Sequence, residues 1–221
     1  MPLSVLLPAC IVGLDITFVE LASNAQLIVL AGSETTATLL SAATYYLTTH
    51  PDILPKLNDE ARSAFTAEDE IDMISVSKLP CMLVILNESL RTFPPVVNGL
   101  PRHIGPGGDT IIGQYIPEGK TMDIWHWAVY HNPDHFAQPN DFIPERWLGD
   151  TRFDNDAKLA LHPFSIGPQD CIGKNLANAE MRLILARLAW NFDIRLADDS
   201  FDWERSNNNN PAISNTLRLL K

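Results

Sequence analysis

The spacing of apolar residues along the chain predicts three helices in its first part. An almost continuous run of apolar and small residues, from about Phe18 to His50, is typical of one long and mostly apolar helix. Pro51 suits the first turn of a second helix, because a proline there removes no helical hydrogen bond. The predicted inward-facing positions of that helix are Ile53, Leu57, Ala61 and Ala64. A charged loop follows, and Pro80 opens a third helix that runs to about Thr92, where the sequence FPP ends it.

The middle of the chain has a different pattern. Residues 101–125 contain short β-branched runs between glycines and prolines, which predicts small strands and hairpins. A short helix is predicted from about Trp125 to His131, followed by irregular, proline-rich chain.

The last long helix is predicted from about Ile172 to Trp190, and a strand-like tail closes the chain. The apolar positions of this last helix recur three and four residues apart, which predicts one buried face. That face is made of Ile172, Leu176, Ala179, Leu183, Ala186 and Trp190. The four asparagines at 207–210 predict a turn. The fold class is therefore mainly α with small β-sheets.

Composition and charge narrow the possible partners. The 221 residues carry a net charge of −11 and no basic stripe, which argues against nucleic acid as a partner. The cysteines, Cys10, Cys81 and Cys171, are odd in number and far apart, so they form no disulfide framework and favour a reducing compartment. Residues 1–16 form an apolar leader of unclear role that lacks the basic start of a signal peptide. No uninterrupted apolar run reaches the ~18 residues that span a bilayer, so we expect no membrane anchor in this chain.

Cys171 has the most informative surroundings of the three cysteines. The stretch PFSIGPQDCIGKNLA places it between Gly167 and Gly173, at the start of the last predicted helix. A helix N-terminus is electropositive and favours a thiolate, and the glycines let the backbone approach a flat object closely. Phe164 can stack beneath the same object. The alternative is a buried structural cysteine.

The pattern F-x-x-G-x-x-x-C-x-G, formed by Phe164, Gly167, Cys171 and Gly173, resembles the haem-binding loop of the cytochrome P-450 superfamily. The resemblance implies that the Cys171 thiolate is the axial ligand of a haem b iron. Gln169 stands where the family commonly has arginine or histidine near a haem propionate. It can still donate a neutral hydrogen bond.

A second motif, AGSETT at residues 31–36, interrupts the first predicted helix with poor helix-forming residues. The Thr35 hydroxyl can bond back to the carbonyl of Ala31, which would open the hydrogen-bond ladder and bend the helix. In the family that the sequence resembles, this motif forms the oxygen-binding groove. The resemblance implies that Glu34 and Thr35 are the acid–alcohol pair that relays protons to dioxygen.

Three arginines and one glutamate complete the resemblance. Glu88 and Arg91, in ESLR, lie three residues apart on one helix face and can pair, and FIPERW supplies Arg146. The family implies that these three residues form a buried structural network. It also implies that Arg102, in GLPRHIG, binds a haem propionate through bidentate bonds.

The resemblance covers residues 17–221 and corresponds to the C-terminal portion of a haem-thiolate monooxygenase domain. It implies insertion of one oxygen atom from dioxygen into a lipophilic small molecule, with electrons from NADPH through a reductase. The amino-acid sequence of several segments is similar to that of fungal secondary-metabolite hydroxylases, including those of the trichothecene kind. The family further implies association with the cytosolic side of the endoplasmic reticulum membrane.

Three alternatives stay open at this point. A thiol hydrolase would use Cys171 as nucleophile with His162 or His131 as base, although it leaves the other motifs unexplained. The spacing of His126, His131 and His135 does not match a metal site. The chain could also be a shortened, non-catalytic relic that cannot bind haem alone, since deleting half a domain exposes core-facing helix surfaces.

Overall fold

The computed structural model describes residues 16–197 and the backbone of residues 219–220, so the leader up to residue 15 and the asparagine run lie outside the described residues. The described residues form five α-helices: α1 Phe18–Thr49, α2 Leu54–Ala64, α3 Pro80–Thr92, α4 His126–Tyr130 and α5 Lys174–Asn191. Short 3-10 helices cover Glu68–Glu70, Ser75–Lys78, Pro144–Leu148, Thr151–Phe153 and Lys158–Ala160.

The strands are short and pair in three antiparallel ribbons. They are β1 Arg102–His103, β2 Asp109–Ile111, β3 Gln114–Ile116, β4 Thr121–Met122, β5 Arg195–Leu196 and β6 Leu219–Leu220. β1 pairs with β4, β2 with β3, and β5 with β6. Ile112 and Gly113 join β2 to β3 in a two-residue turn, and both have positive φ angles, 49° and 76°. The prediction of a mainly α fold with small β-sheets is confirmed.

The chain divides into two compact units between Thr35 and Thr36. In the first unit, Thr17 and Glu20 form a capping box that starts α1: Thr17 N donates to the Glu20 carboxylate at 2.7 Å, and Glu20 N donates to Thr17 Oγ1 at 3.2 Å. The Thr17 N–H and the Thr17 hydroxyl both donate to the Glu20 carboxylate, and these two bonds lower the pKa of Glu20.

The core of the second unit lies where α2, α3 and α5 pack on one another and on residues 36–49 of α1. Two charged side chains of α2 fix its neighbours by capping their ends. Glu60 accepts the Cys81 and Met82 N–H groups at the start of α3, at 2.7 and 3.0 Å. Arg62 donates to the carbonyls of Ala189 and Phe192 at the end of α5, at 3.2 and 3.0 Å. Both contacts satisfy groups that a helix end leaves unpaired, and each places the charge that the helix dipole favours.

Two predicted helix details in the first part of the chain need correction. The second helix begins at Leu54 rather than Pro51, because Pro55 takes the position in the first turn. Ala64 is exposed, and Phe65 is buried in its place.

The predicted buried face of the last helix is wrong over its first turns. The helix begins at Lys174, and Ile172 is fully exposed while Leu176 is 57% exposed. Further along, the predicted Ala186 is buried, and the predicted Leu183 and Trp190 are partly buried against the core. Met181, Leu185 and Ala189 are buried as well, so the face that α2 and α3 cover is shifted from the predicted stripe.

The long first helix bears on the expectation that no segment could span a membrane. By length and composition alone, α1 is apolar enough to cross a bilayer, with a mean hydropathy of 1.3 over its best window. Core helices of soluble proteins meet the same criterion. The requirement of an uninterrupted apolar run was therefore too strict.

Candidate functional site

Cys171 lies in an exposed loop one turn before α5. Its thiol is free and exposed, and its N–H donates to the Phe164 carbonyl at 2.9 Å. The Phe164 side chain is partly buried and packs against the core. The loop is therefore anchored at its base while the thiol faces outward.

The two glycines that bracket Cys171 differ in what they contribute. Gly167 has a φ of 88°, which favours glycine, and Asp170 N donates to its carbonyl at 3.1 Å. A Cβ at Gly173 would meet only Cys171 Sγ, at 3.9 Å. That distance is an ordinary van der Waals contact, so the protein's own packing does not require a glycine at 173. Gln169 is exposed in the same loop.

The AGSETT segment lies within an unbroken α1. Thr35 Oγ1 donates to the Ala31 carbonyl at 2.7 Å, as predicted, and Ser33 Oγ donates to the Val29 carbonyl at the same distance. The helix continues through both residues, so the predicted opening of the ladder does not occur. Glu34 is exposed beside them, and a Cβ at Gly32 would meet nothing within 4 Å.

Glu88, Arg91 and Arg146 meet in the interior, and all three are fully buried. Arg91 donates two hydrogen bonds to the Glu88 carboxylate, from Nε to Oε2 at 3.0 Å and from Nη2 to Oε1 at 2.8 Å. Arg146 Nε donates to Glu88 Oε1 at 3.4 Å. One carboxylate thus accepts from two guanidinium groups.

Backbone carbonyls accept several further hydrogen bonds from these arginines. Arg91 donates to the carbonyls of Tyr130, Pro139 and Asp141 at 3.1, 2.5 and 2.8 Å. The Arg146 guanidinium donates to the carbonyls of Ala137 and Gln138. Buried arginines are tolerated only when their hydrogen bonds are made, and here they hold residues 130–141 against α3.

Two members of this network escaped the sequence reasoning. Asp156 pairs with Arg146 Nη1 and also accepts the Ala137 N–H at 2.8 Å, with its side chain 3% exposed. Trp147 Nε1 donates to Glu88 Oε2 at 2.8 Å. Charge counting could have found Asp156, because two buried cations and one buried anion call for a second anion.

Aromatic rings surround the two guanidinium groups. Arg91 and Arg146 lie 5.5 and 5.8 Å from the centroid of the Phe136 ring, and Arg146 lies 4.5 Å from the centroid of Phe153. Both rings are buried. Cation–π contact of this kind adds to the stability of a desolvated guanidinium.

Arg102 lies on β1, where it is exposed. Its Nη1 reaches only the carbonyls of Leu100 and Pro101, both at 3.4 Å. It forms no ion pair with any residue that the structure describes. The guanidinium is thus available to an external carboxylate.

The histidines of the rejected alternatives are engaged with backbone carbonyls. The His126, His131 and His135 Nδ1 atoms lie 3.0 to 3.1 Å from the carbonyls of Val96, Trp127 and Val129. The His131 ring also stacks on Trp127, 3.8 Å between centroids, and burial lowers the pKa of His131. Among residues 16–197, no three His, Cys, Asp or Glu side chains cluster as a metal site would require.

The family model described as Cytochrome P450 matches residues 13–217. This chain belongs to the cytochrome P450 family. The predicted resemblance is confirmed.

Fungal members of the cytochrome P450 family are among the similar proteins. The trichothecene C-15 hydroxylase of Fusarium sporotrichioides is 52% identical over 192 residues, which cover 86% of this chain and 39% of the relative. The averantin hydroxylase of Dothistroma septosporum is 49% identical, over 80% of this chain and 34% of the relative. The cytochrome P450 monooxygenase tpeC of Talaromyces stipitatus is 48% identical, over 86% and 38%. The chain therefore spans somewhat more than a third of the length of these relatives.

The residues around Cys171 fit the thiolate-ligated haem that the P450 family implies. A free, exposed thiol is the required ligand, and Cys171 provides one. Ile166 and Ile172, 65% and 101% exposed, add apolar surface next to it. Arg102 offers a guanidinium without a carboxylate partner among the described residues, which suits a propionate.

Proposed function

We propose that this chain is the haem-binding portion of a monooxygenase that hydroxylates a lipophilic small molecule in fungal secondary metabolism. The observation that carries the proposal is the free, exposed Cys171 at the end of a loop anchored to the Phe164 carbonyl. Two relatives named as hydroxylases, for trichothecene C-15 and for averantin, support hydroxylation as the reaction.

Each site residue has a proposed part in that function. Cys171 would ligate the iron, with Phe164, Gly167 and Gly173 shaping the loop, while Arg102 and Gln169 would bind propionates. When bound, a thiolate-ligated haem supplies the activation of dioxygen. Glu34 and Thr35 would hold and move protons at the α1 motif. Glu88, Arg91 and Arg146 would keep the scaffold rigid rather than take part in chemistry.

The electrons would come from NADPH through a partner reductase at the cytosolic face of the endoplasmic reticulum membrane. The family supports membrane association. Reconstitution checks both points: NADPH oxidation should require the reductase, and the chain should float with phospholipid vesicles.

The decisive experiment is a carbon monoxide difference spectrum of the reduced, full 221-residue chain expressed with haem. We expect a thiolate-type Soret shift that disappears in Cys171→Ala and persists in Cys81→Ala. Cys81 is the matched control, because only its backbone N–H takes part in the cap on α3. A shift that survives in Cys171→Ala contradicts the ligand assignment. A chain that takes up no haem favours the alternative, a non-catalytic relic.

A further inference from the structure

Tyr130 connects the buried arginine network to the start of the cysteine loop. Its side chain is 1% exposed, and its hydroxyl oxygen accepts the His162 N–H at 3.0 Å. Its backbone carbonyl accepts Arg91 Nη1 at 3.1 Å. The same residue therefore contacts both parts of the site.

A short series of hydrogen bonds continues from His162 to the cysteine. The His162 carbonyl accepts the Ser165 N–H at 2.9 Å, and Ser165 has a φ of 61°. The Phe164 carbonyl then accepts the Cys171 N–H at 2.9 Å. The turn that presents Cys171 thus begins at the residue that the Tyr130 hydroxyl holds.

The position of the Tyr130 ring is itself fixed from the other end of α4. Trp127 N donates to the Val97 carbonyl at 3.1 Å, and His126 Nδ1 lies 3.0 Å from the Val96 carbonyl. The His126 ring stacks on Tyr130 with 5.5 Å between centroids and planes 10° apart. Burial raises the pKa of Tyr130 to about 12, so the phenol is neutral in any ordinary buffer.

We infer that Tyr130 is a positioning residue whose hydroxyl, rather than its ring, fixes the start of the Cys171 loop relative to the Glu88–Arg91 pair. The inference deepens the proposed function and rests on it, since the loop matters as the carrier of the thiolate. Removing the hydroxyl leaves the His162 N–H without its partner. The bond is part-buried and His162 is an exposed residue, so the local protection of the loop should then fall by about 2- to 10-fold, the net contribution of one hydrogen bond.

The test compares Tyr130→Phe with Tyr115→Phe in the full chain. Tyr115 is a matched control, because its hydroxyl also bonds to a single backbone group, the Gly107 carbonyl at 3.2 Å, in the exposed hairpin. Amide hydrogen exchange should accelerate in residues 162–171 of Tyr130→Phe while residues 84–92 keep the wild-type rate. Tyr115→Phe should leave both segments unchanged. Unchanged exchange in residues 162–171, or an equal rise in both segments, overturns the inference.

A second readout distinguishes this inference from the proposed function. In the haem-loaded, reduced and carbon monoxide-bound protein, Tyr130→Phe should lower the fraction with a thiolate-type Soret band, which a merely structural residue would leave unchanged. If Tyr130→Phe keeps the wild-type fraction with a thiolate-type Soret band, and the wild-type exchange rates in residues 162–171, the positioning role is overturned. If the wild-type chain binds no haem, the proposed function fails, while the exchange experiment still decides whether Tyr130 holds the loop.

Discussion

Trp147 Nε1 donates a hydrogen bond to Glu88 Oε2 at 2.8 Å, so the carboxylate that pairs with two arginines also binds an indole. Glu88 lies on α3, and Trp147 lies in the 3-10 helix Pro144–Leu148. This bond and the Arg146 contact link the same two elements, so the PERW segment is fixed to α3 at two successive residues.

Replacing Trp147 by phenylalanine should destabilise the protein through the lost donor. The smaller phenyl ring also removes part of the indole, a loss that the control below shares, and the buried carboxylate loses one charge-assisted bond, which costs about 1–3 kcal/mol in the free energy of unfolding. Urea denaturation measures this change. Trp190→Phe is the control, because its indole donates at 3.3 Å to a neutral carbonyl, that of Phe65. An equal loss in both variants would contradict a special role for the bond to Glu88.

Replacing Asp156 by asparagine should strongly lower the free energy of unfolding. Glu88 and Asp156 balance Arg91 and Arg146, and the change leaves one buried cation uncompensated, at about 3–5 kcal/mol.

The exposed pair between Asp150 and Arg152 provides a matched comparison. Asp150→Asn removes a carboxylate from an arginine whose side chain is 65% exposed, and it should leave the stability almost unchanged, because solvent screens an exposed ion pair. Thermal unfolding of both variants is the measurement. Similar melting temperatures would show that Asp156 does not balance the buried charge.

The Cys81 thiol should react slowly with alkylating reagents well into alkaline pH. Burial, and then the nearby Glu60 carboxylate, raises the pKa of Cys81 to about 11. The folded protein holds this proton more tightly than the unfolded chain does, so the stabilising contribution is complete below about pH 9 and is lost as the pH rises to about 11.

Mass spectrometry of iodoacetamide-treated protein measures the alkylation of Cys81 and of Cys171 separately. Across pH 8 to about 10, the exposed Cys171 should be modified first. Glu60→Gln should speed alkylation of Cys81 near pH 9–10, because it removes the negative charge that opposes thiolate formation. If the alkylation rate of Cys81 is unchanged in Glu60→Gln, the Glu60 carboxylate is excluded as a cause of the raised pKa of Cys81.

Thr35→Ala should uncouple the reaction of a competent complex. If Thr35 moves protons, its loss should lower hydroxylated product by about 100-fold, the lower end for a positioned proton-transfer group, while NADPH is consumed and peroxide is released. Ser33→Ala is the control, since Ser33 makes the same 2.7 Å bond to its own helix. Full coupling in Thr35→Ala would contradict the proton-relay assignment.

The sequence by itself determined the features that local patterns encode. Prolines and apolar spacing predicted α3 at its observed bounds, and α1 to within a residue. The glycine and cysteine spacing of the Cys171 loop, together with three further motifs in the same order as in the family, predicted the family. The i, i+3 spacing of Glu88 and Arg91 places them on one helix face in any α-helix.

Only the tertiary structure decided which residues meet across long stretches of chain. Asp156, Trp147 and Tyr130 carry no local signal, because their partners lie far away in sequence and are selected by the burial of charge and of backbone donors. The buried side of α5 was misjudged for the same reason. An apolar stripe indicates that a helix packs against other elements. The positions of α2 and α3 decide which residues of α5 are buried in this core.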